Sequence, residues 1–392
     1  MTKIVKAYAG AQIHDGHTLH ENRALAVLQD GQVALPLHHE LPPDCDIHKF
    51  DGGVIVPGFV DLQVNGGGGI MFNDNQSVDT LATIARAHTG KGTVAILPTL
   101  ITDTPDRTRA AITAVEQAIA QRVDGIAGIH LEGPHLSVTR KGAHDPDLIR
   151  PMEEDDLRLL LHAGDRLPNV MVTVAPESTS LSQITTLTDA GVIVSLGHTD
   201  ADHDTCMAAF DAGASCVTHL FNAMSQMGNR EPGLVGAALA RDDVYAGLIA
   251  DGIHVHPATM RNALAAKSPS DRIFLVTDAM ATAGSDIESF TLNGRDVFRN
   301  AHRLTLADGT LAGADLDMAR AISVLIEEVG EDPGVAFTRA TSTPAELLRE
   351  RGELGRLSSN LDRLLYFDPG TLHPQRLSEV QAIQAISTPA AP

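Results

Sequence analysis

The sequence predicts an α/β fold: a (β/α)8, TIM-like barrel with a small β-sandwich domain built from both chain ends. From Val54 onward, apolar runs of about five residues alternate with helical patterns, the rhythm of a parallel sheet crossed by helices. Eight such runs can be counted. A doubly wound open sheet, the competing arrangement, usually has fewer strands and a Gly-rich phosphate loop after the first. Most of the runs also end in polar residues that a core would not choose, as barrels with function at the C-terminal strand ends require.

Residues 1–56 come first, as short alternating stretches (KIVKAYAGAQIHDG, ALAVLQDGQVALPL, KFDGGVIVPG) broken by D-G and G-G turns. They read as a small antiparallel β unit. The eight barrel runs are VIVPGFVDLQV, TVAILPTLI, GIAGIHLEG, VMVTVAPE, VIVSLGHTD, CVTHLFNAM, YAGLIADGIHV and IFLVTDAM. Helical patterns such as VDTLATIARAHTG, PDRTRAAITAVEQAIAQ and EEDDLRLLLHAG lie between most of them. In ADHDTCMAAFDAG, Asp202 and Asp204 fall in the first turn, where carboxylates suit the helix dipole. Residues 286–316 read as strands and turns, LDMARAISVLIEEVG and TPAELLRERG as helices, and 354–368 as a final β piece. The expected division is a small β domain from 1–56, 286–316 and 354–372, a catalytic barrel from 57–285 and 317–353, and a fraying tail, 373–392.

Composition narrows the function. The 392 residues are 43% hydrophobic and 20% charged, which excludes wholesale disorder. Lys and Arg total 29 against 50 Asp and Glu, a net charge of −21. Nucleic acid and anionic membranes demand a basic face and are not expected partners. Cys45, Cys206 and Cys216 match no disulfide framework, zinc ribbon or redox motif, so a reducing, cytoplasmic setting is expected. The first residues have no apolar stretch or cleavage site of a signal peptide, and no run is long enough to span a bilayer. With 18 His against 3 Cys, any metal site will be imidazole and carboxylate.

The chemistry sits at the strand ends. The first run ends in Asp61, Gln63 and Asn65, the third in His130 and Glu132, and the fifth in His198. The sixth ends in His219 and Asn222, the seventh in Asp251 and His254, and the eighth in Asp278. His198 and His219 are 21 residues apart, one βα unit, which places them on adjacent strands. Glu132 comes from two strands earlier. Catalytic zinc often takes two His and one Glu and leaves a position for water. Glu132, His198 and His219 supply that set. A metal so held brings the pKa of its water towards ~7, and Asp278 is placed to take a proton and later pass it to a leaving group. One histidine among 18 is more often a hydrogen-bonded structural residue; convergence on one barrel mouth is what argues for function. Gln63 and Asn65 read equally well as residues bonding the backbone, and Met224 and Met227 as loop packing.

HLEGPH at 130–135, SLGHTD at 195–200, THLFNAM at 218–224, NREPG at 229–233, ADGIHV at 250–255 and LVTDAM at 275–280 carry a resemblance. With PGFVDLQVNG at 57–66 and LAGADLDM, this ordered set resembles the N-acetylglucosamine-6-phosphate deacetylases of the amidohydrolase superfamily. The resemblance implies hydrolysis of a sugar acetamide to amine and acetate on a distorted barrel. Carried over by position, Glu132, His198 and His219 are the metal ligands and Asp278 the general base and acid. His144, in KGAHDP, reaches the acetamide carbonyl or the sugar. His254, Asn222, Ala223 and Arg230 hold the phosphosugar, with Arg230 contributed across a homodimer interface. Many amidohydrolases have His-x-His on the first strand and bind two metals. Gln63-x-Asn65 here implies one divalent metal per subunit, Zn²⁺ first, with Fe²⁺ or Co²⁺ compatible. His135 replaces a residue often aromatic in relatives. The alternatives are another N-acetylhexosamine 6-phosphate, notably the galactosamine epimer, and a cyclic-amide hydrolase. A sugar-binding barrel without catalysis is a third, and it has no need of Asp278.

Overall fold

The computed structural model describes residues 2–268 and 270–380. Eight strands form one sheet in chain order: β1 (Phe59–Val64), β2 (Thr93–Ile101), β3 (Ile129–Glu132), β4 (Val170–Val174), β5 (Ile193–Leu196), β6 (Cys216–Val217), β7 (Tyr245–Leu248) and β8 (Ile273–Leu275). Each is parallel to the next. They are the eight apolar runs, mostly apolar because helices cover the outside while side chains fill the inside.

The helices begin where the sequence supplies caps. Ser77 caps α1 (Val78–Thr89), and Thr104 caps α2 (Pro105–Ala120), with proline in its first turn. Of the two acids expected in a first turn, Asp204 lies there and Asp202 is the cap before it: its side chain accepts from Thr205 N–H at 2.9 Å and starts the helix His203–Asp211. An unpaired first-turn N–H costs stability, and such a cap is worth about 1 kcal/mol.

β8 returns to β1 at a short seam. Val64 and Ala279 form a parallel bridge, Asp278 N–H donates to Gln63 O at 3.0 Å, and Asn65 N–H donates to Ala279 O at 2.9 Å. One step below, Asp61 accepts from the Thr277 hydroxyl at 2.5 Å. Burial pushes the Asp61 carboxyl up to about 7, against the hydrogen bonds from Thr277 and Gln63.

Both chain ends build the second unit. Leu364–Phe367 pairs antiparallel with Val54–Pro57, in a five-stranded sheet that also holds Gln12–His14 and Leu19–His20. A separate sheet contains Ile4–Ala9, Leu25–Leu28, Val33–Ala34 and Asp46–Lys49. Tyr8 and Leu25 from one sheet pack with Ile13, Ile55 and Leu364 from the other, as a β-sandwich. Pro374–Arg376, expected in the tail, is the edge strand of the first of these sheets. Leu377 and Val380, also expected in the tail, are buried in the sandwich core instead of fraying, and 381–392 lie outside the described residues.

The segment expected to join this sandwich goes elsewhere. Ser289–Leu292, Arg295–Asn300, Arg303–Leu306 and Leu311–Ala314 form an antiparallel sheet of their own. Leu292, Val297, Leu304 and Leu306 pack on Met71, Ile101 and Met280 at the barrel mouth. The last strand is hooked to the barrel by Ala314 N–H, which donates to Asp278 O at 2.9 Å. An alternating pattern fixes which face of a sheet is apolar and not which surface that face covers. No helix among the described residues is long and apolar enough to cross a membrane.

Gly313 makes this hook possible. Its φ is +65°, and a Cβ there would lie 2.4 Å from Met280 Cγ and 3.0 Å from Asp278 O. Gly313→Val should therefore lower stability by about 2–4 kcal/mol, combining left-handed strain with overpacking, and lower activity as well. An unchanged urea midpoint would mean that the strand does not depend on this close approach.

Candidate active site

The side chains expected at the mouth arrive on distorted strand ends. Among the described residues other than glycine, His198 (φ 48°), His219 (32°), Phe221 (78°), Ala223 (48°) and Asp278 (49°) all have left-handed backbone. Non-glycine residues rarely adopt that region, and such outliers cluster where geometry is over-determined by function. The turns follow β5, β6 and β8 directly, so each strand ends by changing direction into the cleft.

Glu132, His198 and His219 converge. Glu132 Oε1 is 3.1 Å from both His198 Nε2 and His219 Nε2, and the two nitrogens are 3.0 Å apart. All three residues are buried. His198 Nδ1 donates to Arg140 O at 2.8 Å, which leaves the lone pair of a neutral ring on Nε2, facing the cluster. Three electron-pair donors packed this closely require a positive centre among them. Burial would raise the Glu132 carboxyl, but His198 and His219 outweigh it and hold it well below the usual range. Burial would likewise lower His219, and Glu132 outweighs it and raises the imidazole. The donor set, two imidazoles and a carboxylate, fits a divalent transition metal, and its ligand atoms lie within 4.8 Å of one another.

Asp278 sits beside this cluster. Its Oδ1 accepts from Asn65 Nδ2 at 2.6 Å and from Gln63 Nε2 at 3.2 Å, and Gln63 also donates to Glu132 Oε1 at 3.3 Å. Gln63 and Asn65 thus spend their amide donors on the carboxylates. Oδ2 has no protein hydrogen bond among the described residues. Burial and the Glu132 charge push the Asp278 carboxyl up to about 6.

His144 lies over the same cleft. Thr102 N–H donates to its Nδ1 at 3.4 Å, with the Thr102 hydroxyl at 2.7 Å, so the ring proton belongs on Nε2, 4.0 Å from Glu132 Oε2. Burial and His198 lower His144 to about 3, so it is a neutral donor. His254 holds Asp251 Oδ2 through Nδ1 at 2.6 Å. Asn222, Ala223 and His254 line the cleft of about 250 Å³ with the cluster, His144 and Asp278. Arg230 does not: it is exposed in its own chain and is absent from that lining.

Other strand-end candidates are structural. His130 Nδ1 bonds Leu62 O at 3.0 Å and Nε2 the Thr173 hydroxyl at 2.7 Å, so neither nitrogen is free for a ligand. His135 is buried and bonds Arg150 O at 3.2 Å, away from this cleft. Met224 is buried as expected, whereas Met227 is 62% exposed and packs little. Thr102 was not singled out in the sequence. Its one signal is its place directly after β2, a position a structural threonine shares.

Residues 54–359 match the model of the Amidohydrolase family. The chain is 42% identical over 352 residues to an N-acetylgalactosamine-6-phosphate deacetylase of Shewanella sp. (strain ANA-3), covering 89% of this chain and 88% of that one. It is 33% identical over 353 residues to an N-acetylglucosamine-6-phosphate deacetylase of Haemophilus influenzae, covering 88% and 91%. The crystal structure of N-acetylglucosamine-6-phosphate deacetylase from Pasteurella multocida superposes with a TM-score of 0.86 at 31% identity, covering 94% and 96%. With the family match spanning the barrel and relatives aligned over nearly the whole chain, the protein belongs to the amidohydrolase family, in the group that contains the amino-sugar 6-phosphate deacetylases.

Proposed function

We propose that this enzyme hydrolyses the acetamide of N-acetylglucosamine 6-phosphate to glucosamine 6-phosphate and acetate, using one divalent metal per subunit. The observation that carries the reading is Asp278 beside the Glu132, His198 and His219 cluster, with one carboxylate oxygen held and the other free. A divalent cation on that cluster, Zn²⁺ first, would polarise the acetamide oxygen and acidify a water.

The chain's own groups do the rest. Asp278 Oδ2 accepts a proton from the attacking water, and a carboxyl pushed towards neutrality is suited both to take it and to return it. His144 Nε2–H donates to the carbonyl oxygen as negative charge grows there. The C–N bond breaks as Asp278 passes its proton to the leaving nitrogen, giving the amine and acetate. His254, Asn222 and Ala223 line the same cleft and would hold the rest of the phosphosugar there.

Phosphate capture by Arg230 from a second subunit belongs to this reading. Its support is that Arg230 is exposed in its own chain, on a loop that also exposes Met227. A cytoplasmic setting is supported by Cys45, Cys206 and Cys216 all being free thiols.

One observation favours a second reading. Identity to the Shewanella N-acetylgalactosamine-6-phosphate deacetylase, 42%, exceeds the 33% to the Haemophilus N-acetylglucosamine-6-phosphate deacetylase, so the C4 epimer is the natural competing substrate. Acetate release measured on both N-acetylhexosamine 6-phosphates decides between them. A glucosamine-type preference in kcat/KM supports the main reading, the reverse preference supports the epimer, and inactivity on both sinks the deacetylase assignment.

His198→Ala and His219→Ala should each lose metal and activity together, read by elemental analysis of the purified protein. Two stoichiometric metals in the native enzyme would overturn the role given to Gln63 and Asn65.

Asp278→Asn should keep its metal and lose at least about 10²-fold in kcat, the lower end for general acid–base catalysis. Retention of more than about a tenth of the turnover would assign the base elsewhere. Co-refolding Asp278→Asn with Arg230→Ala chains should restore activity, because a mixed dimer then holds one site with both defects and one with neither. Mixtures as inactive as both parents would remove Arg230 from the neighbouring site.

A further inference from the structure

We propose that Arg295 is a positioning residue: from the hairpin above the barrel mouth it pins the loop that carries His144, and so sets where His144 meets the acetamide oxygen. This rests on the role given to His144 above.

The loop after β3 is irregular, and its hold on the site comes from individual anchors. Arg140 pairs with Asp200 at 2.7 Å, and its carbonyl accepts from His198 Nδ1 at 2.8 Å. Gly142, at φ +53°, lies so close that a Cβ there would be 3.3 Å from His198 Cε1. Two residues on, His144 rests on Thr102. Between those anchors the Ala143 carbonyl accepts a hydrogen bond from the Arg295 guanidinium.

Arg295 is well placed to act as a fixed arm. It follows Asn293 and Gly294, whose φ values of 49° and 73° suit a tight two-residue hairpin turn, and it pairs in register with Leu292. Among the described residues it forms no ion pair, so its charge is directed at one carbonyl in a chain carrying −21. The sheet it belongs to is anchored independently by its apolar face on Met71, Ile101 and Met280.

The opposite end of that sheet touches the other catalytic group. Ala314 N–H donates to the backbone carbonyl of Asp278 at 2.9 Å. One small sheet is therefore bonded to Asp278 at its last strand and to the His144 loop at its first turn. The two groups that must flank the acetamide are held in mutual register through it. A group misplaced by about 1 Å can cost about 10²-fold in rate, so such a tether is felt in kcat.

A double-mutant cycle on the metal-loaded enzyme tests this, with Arg295→Ala, His144→Asn and the two combined. Arg295→Ala should lower kcat by about 10- to 100-fold, with KM changed by less than about threefold and metal content and Tm kept. Arg295→Lys should recover part of the loss. In the His144→Asn background, Arg295→Ala should cost less than about twofold more, since it acts through a group already removed. Should Arg295→Ala be unstable, Arg295→Gln, which keeps a donor on a shorter stem, serves in the same cycle. Equal losses with and without His144, or kcat within twofold of wild type for Arg295→Ala, would overturn the proposal. Wild-type kcat for His144→Asn would overturn the role of His144 itself, and the tether with it, while leaving Asp278 and the metal ligands untouched.

Discussion

Barrel closure is the constraint on which the site depends. Residues 61–65 and 277–279 are more than two hundred positions apart, and they meet because β8 closes on β1. The seam is short: a bridge between Val64 and Ala279, backbone hydrogen bonds from Asp278, Asn65 and Gly66, and Asp61 under the Thr277 hydroxyl. Without it the amides of Gln63 and Asn65 do not reach Asp278, and the Asp278 carboxylate has no fixed orientation. Asp61 is fully buried with its charge opposed by burial, yet it accepts from a hydroxyl and two N–H groups. A buried carboxyl group is tolerable when its lone pairs are filled in this way.

The second constraint is strain. Left-handed backbone costs a non-glycine residue roughly 1–2 kcal/mol, and five such residues lie at or beside the cluster. That cost is offset by the barrel beneath, where each fully buried Val, Leu or Ile contributes roughly 1.5–3 kcal/mol. The same turns that strain the chain remove His198, His219 and Asp278 from the strand direction and aim them at one another. A relaxed continuation of β5, β6 and β8 would alternate them in and out of the sheet.

What the sequence made legible follows from the same physics. Parallel strands buried on both faces leave unbroken apolar runs, so all eight could be counted in order, and their ends pointed to the mouth. Glu132, His198, His219 and Asp278 were visible because a core does not select them. The covering sheet from 289 to 314 was legible as strands but not in place, since its period-2 pattern is equally suited to the terminal sandwich and to the mouth. Thr102 and Arg295 were not legible as site residues. Thr102 meets His144 through its N–H and hydroxyl, and Arg295 meets the Ala143 carbonyl, on a loop whose path is set only by the closed fold. Arg140 pairs with Asp200 and orients His198 through its carbonyl, a contact between loops that no local pattern announces.

Charge distribution links the mouth to its proposed anionic substrate. A chain of net charge −21 repels a phosphosugar, but screening limits that repulsion to about 8 Å at physiological salt. Capture is therefore decided by cations within a few ångströms of the cleft. Arg140 is committed to Asp200 and Arg295 to the Ala143 carbonyl. Arg230 and Lys141 form no ion pair among the described residues, and of the two only Arg230 is exposed. A guanidinium offers phosphate two parallel donors where an ammonium offers a point charge, so it fixes orientation as well as binding. Fixing the phosphate end constrains the acetamide end, because the hexose ring between them is stiff. An arginine brought to the rim from outside its own cleft, as proposed for Arg230, would orient the acetamide towards Asp278 and His144 without adding positive charge to the buried cluster that polarises it.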